Sequence, residues 1–383
     1  MITRSRQVAL ALTALLTAGA ACQARDHEPP KPPAPAPPAA VEGAFTLVAS
    51  GDVLPHDSII ERARFDAGGS GYDFRPMLAG ARPVVAPADL ALCHMETVYG
   101  ANGDYSGYPL FKSPPEVAEA LAATGYDGCS TASNHSVDDG ADGIRRTLDA
   151  LDRAGVRHAG TARTEAEADI ATVLRAGRAQ VAHLAYTLHT NGRPVPADQP
   201  WAVGLIDEAR VVEDARAARK AGADVVVSLH WGTEWQDEPD GDQVALARSL
   251  TASRTGGRPD IDLILGTHAH VPQAYEKVNG TWVVYGMGDQ IAGEMVNDEG
   301  VRDPRGNQST IGRFTFAPPE RAGERWRVTK AEFVPQLFDV DAGRVVNLNR
   351  AIDEGADVRA VRDRIRDVVL GRGAAGDGLV MGE

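Results

Sequence analysis

From residue 44 onward, near-continuous apolar runs alternate with stretches whose apolar positions recur every three or four residues. The runs at 45–50, 89–94, 126–131, 180–186, 224–230, 261–266 and 281–286 predict strands. They are apolar throughout rather than alternating, which suits strands covered on both faces in an α/β sheet. Helices are predicted between them. One opens at Pro114-Pro115-Glu116 and runs to about residue 123, with Pro where a missing N–H is tolerated. The stretch 142–154 carries Ile144, Leu148 and Leu151 at helical spacing and stops at Gly155. Stretches 208–221, ending at Gly222, and 243–253 complete the set, and 357–370 predicts a C-terminal helix before a loose Gly-rich tail. Residues 311–347 lack a helix; 312–316 and 327–333 read as antiparallel strands added to the second half. Strand–helix alternation of this kind argues for an α/β fold with a layered sheet.

The first forty residues follow another pattern. Arg4 and Arg6 precede an apolar run over 8–21, too short for the ~20 residues of a membrane span. Its proportions predict a signal peptide over 1–21. The run ends Ala18-Gly19-Ala20-Ala21-Cys22, and small residues before a Cys predict lipidation at Cys22, with plain Ala-x-Ala cleavage as the alternative. A tether over 22–43 follows, with seven of the 24 prolines between 28 and 40, a composition that favours extended polyproline II. The expectation is an exported lipoprotein anchored at the cell envelope. The main domain is placed at 44–347 and the C-terminal helix and flexible tail at 348–383.

Composition narrows the function. With 39 Lys+Arg against 53 Asp+Glu, a net charge of −14 and no basic run, the chain is a poor phosphate-backbone binder, so nucleic acid is set aside as a partner. Three cysteines build no disulfide framework; Cys93 and Cys129 read as buried thiols, a disulfide between them requiring alignment that sequence does not reveal.

The chemistry lies at the strand ends. The first predicted strand runs into Gly51-Asp52 and on to His56, the second into His94-Met-Glu96, the third into Asn134-His135 and Asp138. A later one ends His230-Trp231-Gly-Thr-Glu234, and the next Thr267-His268-Ala-His270. Six of the ten histidines lie at these ends. The carboxyl ends of α/β strands form the ligand crevice. Two-residue spacing on extended backbone would let His268 converge with His270, and His94 with Glu96. Mixed Asp, Glu, Asn and His donors suit Zn, Mn or Fe better than Ca or Mg. A carboxylate such as Glu96 can bridge two ions ~3.5–4 Å apart, as in phosphoryl chemistry. A Gly-Asp after a strand or a strand-end His alone is more often a turn, cap or hydrogen-bonded histidine; Gly-Thr-His-Ala-His is a stronger signal, and all five in order at strand ends are stronger than any one.

The ordered segments ASGDVL (49–54), ADLALCHMET (88–97), the Asn-His-x-x-Asp stretch within 130–151, VSLHWGTEW (227–235), LILGTHAHVPQAYE (263–276) and VVYGMGDQ (283–290) resemble the bacterial capsule-synthesis CapA-like family, linked to poly-γ-glutamate assembly. The resemblance covers roughly 45–290. It implies a fold related to the calcineurin-like metallophosphoesterases: a layered sandwich of two mixed β-sheets flanked by helices. It further implies metal ligation by Asp52, Glu96 (as the bridging carboxylate), Asn134, His230, His268 and His270, by one or two divalent ions. His135 would protonate the leaving group, with Asp138 beside it. Leu54 stands where the phosphoesterase pattern wants a His, so one metal position lacks a ligand; His56, His94, Trp231 and Glu234 are additional candidates near it. The sequence also departs from the family at His94, where Asn is the pattern, and at Met287-Gly288-Asp289-Gln290, where Leu-Gly-Asn-Phe is.

The function this implies is capsule or anionic-polymer biosynthesis with a metal-dependent hydrolase-like site. Its partners would be an anionic polymer or phosphate-linked precursor, the membrane through a lipid anchor, and other capsule-assembly proteins. The alternatives are an exported phosphoesterase unconnected to capsule, and a non-catalytic assembly protein with a degenerate site.

Overall fold

The computed structural model describes residues 43–321 and 324–383. The predicted leader, Cys22 and nearly all of the Pro-rich tether lie outside the described residues.

Side chains along the strand Phe45–Leu54 sort by parity before the ligand end: Phe45, Leu47 and Ala49 enter one apolar cluster, Val48 another. The strand Leu90–Met95 does the same, with Leu90 and Leu92 on one side and Ala91, Cys93 and Met95 on the other. Strand Asp224–His230 repeats the rule, with Val226 facing inward and Val225, Val227 and Leu229 outward. Period-two geometry on residues apolar at every position gives strands that need a layer on each face.

Two mixed sheets meet that need. The nine-stranded sheet runs Arg344–Asn347, Arg327–Asp339, Gln308–Ala317, Phe45–Leu54, Leu90–Met95, Gly128–Ser130 and Arg157–Ala159, with Asp289–Ala292 beside Phe45–Leu54 and Leu379–Met381 beside Arg327–Asp339. The six-stranded sheet runs Tyr275–Val278, Thr281–Val284, Leu263–Thr267, Asp224–His230, Ala179–Thr187 and Thr172–Ala176. Their facing sides share one core, built from residues such as Leu47, Leu92, Val226, Leu265, Trp282 and Phe314. Helices Asp57–Asp66, Glu116–Thr124 and Gly140–Ala154 cover the first sheet through Ile59, Leu121 and Leu151. Helices Glu208–Lys220 and Gly241–Ala252 cover the second through Val211, Ala215 and Leu250. The result is the expected α/β sandwich of two mixed sheets flanked by helices.

Three expectations are corrected. The strands Gln308–Ala317 and Arg327–Asp339 are antiparallel but join the first sheet, Phe45 pairing with Phe316, so the chain's end completes the sheet its beginning started. The tail is not loose: Leu379–Met381 pairs with Ala331, Glu332 and Phe333, and Ile365, Val369 and Leu379 are buried in the inter-sheet core. Cys93 and Cys129 are not free thiols but a disulfide between paired strands, Cα atoms 4.4 Å apart. Among the described residues no helix is long and apolar enough to cross a membrane.

Candidate metal centre

Close backbone approach builds the site before any ligand enters it. A Cβ on Gly51 would lie 1.8 Å from Gly288 O, and one on Gly266 2.0 Å from Tyr285 O. Only glycine lets those chains meet, and each lies just before a ligand segment. Asp52 N–H donates to Gly288 O at 3.0 Å, which sets Asp52 beside Asp289 across parallel strands.

Two donor groups result, each with ligand-capable atoms within 4.8 Å of one another: Asp52, His94 and His230; and Asp52, Glu96, His270 and Asp289. All six residues are buried. Asp52 is the residue common to both, the sharing role the resemblance assigned to Glu96. Glu96 still lies between them, with Oε1 3.8 Å from His230 Nε2. His94 Nδ1 is held by Ser130 Oγ at 2.7 Å, leaving Nε2 directed at Asp52 Oδ1, 3.8 Å away. His230 is held from both sides, Nδ1 by Thr267 Oγ1 and Nε2 by Asn134 Oδ1, each at 3.0 Å. His268 contributes differently. Its backbone N–H donates to Asp52 Oδ2 at 3.2 Å and its ring leans on His230, centroids 4.6 Å apart. The extended backbone expected through this pair is not what brings it together: His268 and His270 sit at φ +92° and +58°. Non-glycine residues held there carry strain that a functional site can retain.

Other candidates fall at the rim or outside. Glu234 is half-buried, with Oε1 3.9 Å from Nε2 of both His268 and His270. His135 Nδ1 pairs with Asp138 Oδ2 at 2.6 Å, and Asp138 also accepts from Phe111 N–H, so its carboxylate fixes the imidazole and leaves Nε2 free. His56 does not replace the ligand missing at Leu54: its Nδ1 lies 3.0 Å from Leu54 O and 3.1 Å from Gly293 N, and its ring meets Phe111 edge-on. Trp231 points into the outer core of the second sheet and donates to Tyr285 O. Leu54 itself is core, packed with Phe111, Ala292 and Met295.

Asp289 escaped the sequence reading. Its Oδ1 accepts from His270 Nδ1 at 3.0 Å, bringing a third carboxylate to the second donor group. The signal was present: Gly288-Asp289 repeats Gly51-Asp52 after an apolar run.

Electrostatics decide whether a cation fits. Burial pushes Asp52 well above the usual carboxylate range, and Asp289 beside it adds to the rise. Burial and Asp52 do the same to Glu96. Burial works against charge on His270, but Asp289 and Glu96 outweigh it and hold His270 well above its ordinary value. His230 and His268 are pushed well down by burial and by neighbouring histidines, and so are neutral imidazoles able to ligate. Asp52 Oδ1, both Glu96 oxygens, Asp289 Oδ2 and His94 Nε2 are buried with no hydrogen-bond partner among the described residues. Buried polar atoms are normally satisfied. Orphans converging from three carboxylates and an imidazole are the donor set a divalent cation satisfies, and N,O ligation of this kind suits Zn, Mn or Fe.

Residues 46–294 match the family model described as bacterial capsule synthesis protein PGA_cap, and the chain belongs to that family. It is 27% identical over 221 residues to a protein of Mycobacterium tuberculosis described as a probable polyglutamine synthesis accessory protein, covering 53% of this chain and 55% of that one. It is 26% identical over 180 residues to the capsule biosynthesis protein CapA of Bacillus anthracis, covering 46% and 42%. The chain thus spans about half the length of the curated relatives it matches. Among solved structures, the NAD nucleotidase of Haemophilus influenzae aligns at a TM-score of 0.44 and 13% identity over 88% of this chain and 57% of that one.

Proposed function

We propose that this protein is a metal-dependent hydrolase of capsule or poly-γ-glutamate biosynthesis, acting on an anionic polymer or its phosphate-linked precursor at the cell envelope. The observation that carries the proposal is the pair of donor groups sharing Asp52, with unpartnered buried oxygens on Asp52, Glu96 and Asp289. Zn, Mn or Fe bound there, as one or two ions, would polarise the scissile group and activate water. Asp52, Glu96, Asp289, His94, His230 and His270 would hold it, joined by Asn134, whose Oδ1 lies 3.0 Å from His230 Nε2 and would turn to the same ion, and by His268 beside them. Asp138 orients His135 through Nδ1, so His135 Nε2 is the atom that delivers a proton to the leaving oxygen. Family membership supports the capsule context. Export and lipid anchoring are supported by the basic, apolar and small-residue pattern ending at Cys22. The Cys93–Cys129 disulfide suits an oxidising compartment. Interaction with other capsule-assembly proteins belongs to the same reading.

His135→Ala tests the catalytic part. Turnover of bis(p-nitrophenyl) phosphate by Mn-loaded protein should fall roughly 10²–10⁴-fold with bound metal unchanged. A folded variant with wild-type turnover removes His135 as the acid. A wild type that holds metal but turns over neither this ester nor γ-linked glutamate polymer favours the non-catalytic assembly role.

A further inference from the structure

The strand Ala179–Thr187 ends level with the metal centre, Thr187 pairing with His230. The loop it feeds is stitched to the site. Leu188 N–H donates to His230 O at 2.9 Å, and Asn134 Nδ2 donates to Asn191 Oδ1 at 3.3 Å. The His189 ring meets that of His268 edge-on, centroids 5.3 Å apart. A tight turn follows: Arg193 N–H donates to Thr190 O at 2.9 Å, and Thr190 Oγ1 donates to Arg193 O at 2.6 Å. The turn presents Arg193, whose Nε donates to Val137 O at 3.3 Å. Val137 lies between His135 and Asp138, so the guanidinium is tied to the same short segment as the proposed proton donor.

Arg193 is exposed, and among the described residues no carboxylate pairs with it. Arg163 and Arg305, by contrast, are held by carboxylates: Arg163 by Asp149, Asp152 and Glu167, and Arg305 by Asp237 and Asp303. An exposed arginine fixed through Nε keeps its remaining N–H donors for a ligand. Its planar fork matches phosphate and carboxylate bidentately. With a net charge of −14 and Glu234 at the rim, an anionic substrate needs a local cation at the mouth.

We propose that Arg193, assisted by His189, is the substrate's oxyanion anchor: it holds a phosphate or carboxylate oxygen pair of the substrate beside the metal centre. This deepens the hydrolase reading above and rests on it for the location of the reacting group. His189 is exposed and braced against His268, and supplies one further donor on the same side.

The test is calorimetric titration of the full-length, Mn-loaded protein with inorganic phosphate and, separately, with a γ-linked glutamate oligomer. Arg193→Ala should weaken whichever binds by roughly 10–100-fold, the range lost with a charge-assisted hydrogen-bonding partner, while bound metal and melting temperature stay put. Arg193→Lys should fall between, and His189→Ala should lose less. A response to phosphate alone assigns a phosphate ester, and a response to the oligomer alone assigns the polymer carboxylates. A wild type that binds neither at millimolar concentration, or an Arg193→Ala variant that binds as tightly as wild type, overturns the anchor. Hydrolysis with unchanged KM in Arg193→Ala removes the anchor and leaves the hydrolase reading. Arg193-dependent binding without any hydrolysis keeps the anchor and removes the hydrolase.

Discussion

The strand Asp224–His230 has a buried acid at one end and a buried histidine at the other, and the two ends handle buried charge in opposite ways. At the first, Asp224 and Asp262 are served by arginine: Arg219 Nη1 donates to Asp224 Oδ1 at 3.1 Å and its Nη2 pairs with Asp262. Val225 N–H donates to Asp262 Oδ2 at 2.7 Å, and Arg325 stands behind, 4.0 Å from Asp262. At the other end three carboxylates, those of Asp52, Glu96 and Asp289, are buried together, and the cationic partner the protein supplies is His270. Burial raises acids at both ends, bringing Asp224 to about 7 even against Arg219. The difference is the source of the counter-charge. One end carries it in the sequence, as guanidinium; the other gathers a donor group that could hold a metal ion, which under the proposed function supplies the counter-charge.

The largest effect expected from breaking this contrast is structural. Arg219→Leu leaves Asp224 and Asp262 buried without their main cation, which should cost about 3–5 kcal/mol of stability. Chemical denaturation measures that loss, and bound metal in the folded fraction should be unchanged. A loss below about 1 kcal/mol would mean that the two ends do not differ as described.

A smaller effect separates histidines that could take a metal from those that are simply buried. Burial lowers both His56 and His183 to about 4, and neither belongs to a donor group. The unfolded chain takes up those protons near about 6.5, and the folded chain resists until about 4. Their stabilising contribution is therefore complete above about 6.5 and lost as pH falls, at up to about 1.4 kcal/mol per pH unit for each histidine. In chelator-treated protein, His183→Gln should flatten the pH dependence of stability between 6.5 and 4 by about one proton. An identical slope in variant and wild type would show that His183 titrates normally.

Much of this contrast was legible in the sequence, and the gaps have physical causes. Apolar runs located the strands bearing Asp52, His94, His230 and the His268–His270 pair because burial on both faces leaves an uninterrupted signature. Asp289 was missed because its strand, Asp289–Ala292, is four residues long and is recruited by its pairing with Phe45–Leu54, a partner more than two hundred positions away. The Arg193 loop was missed because its role comes from Val137, Asn134 and His268, none of them near it in sequence. Two-residue spacing predicts that His268 and His270 converge on extended backbone; they lie at the site in left-handed backbone instead, which sequence spacing does not encode. Cys93 and Cys129 needed the register of two parallel strands before their pairing could be seen.

The central claim is that the strand-end cluster takes its counter-charge from a bound divalent ion, and the metal content of Asp52→Asn set against Asp289→Asn tests it most directly. Asp52 belongs to both donor groups and Asp289 to one. Elemental analysis after equilibration with Mn or Zn should find one or two ions per chain in wild type, none retained by Asp52→Asn, and a partial loss in Asp289→Asn. Wild-type metal content in a folded Asp52→Asn variant, or a wild type that takes up no divalent ion, would contradict the account.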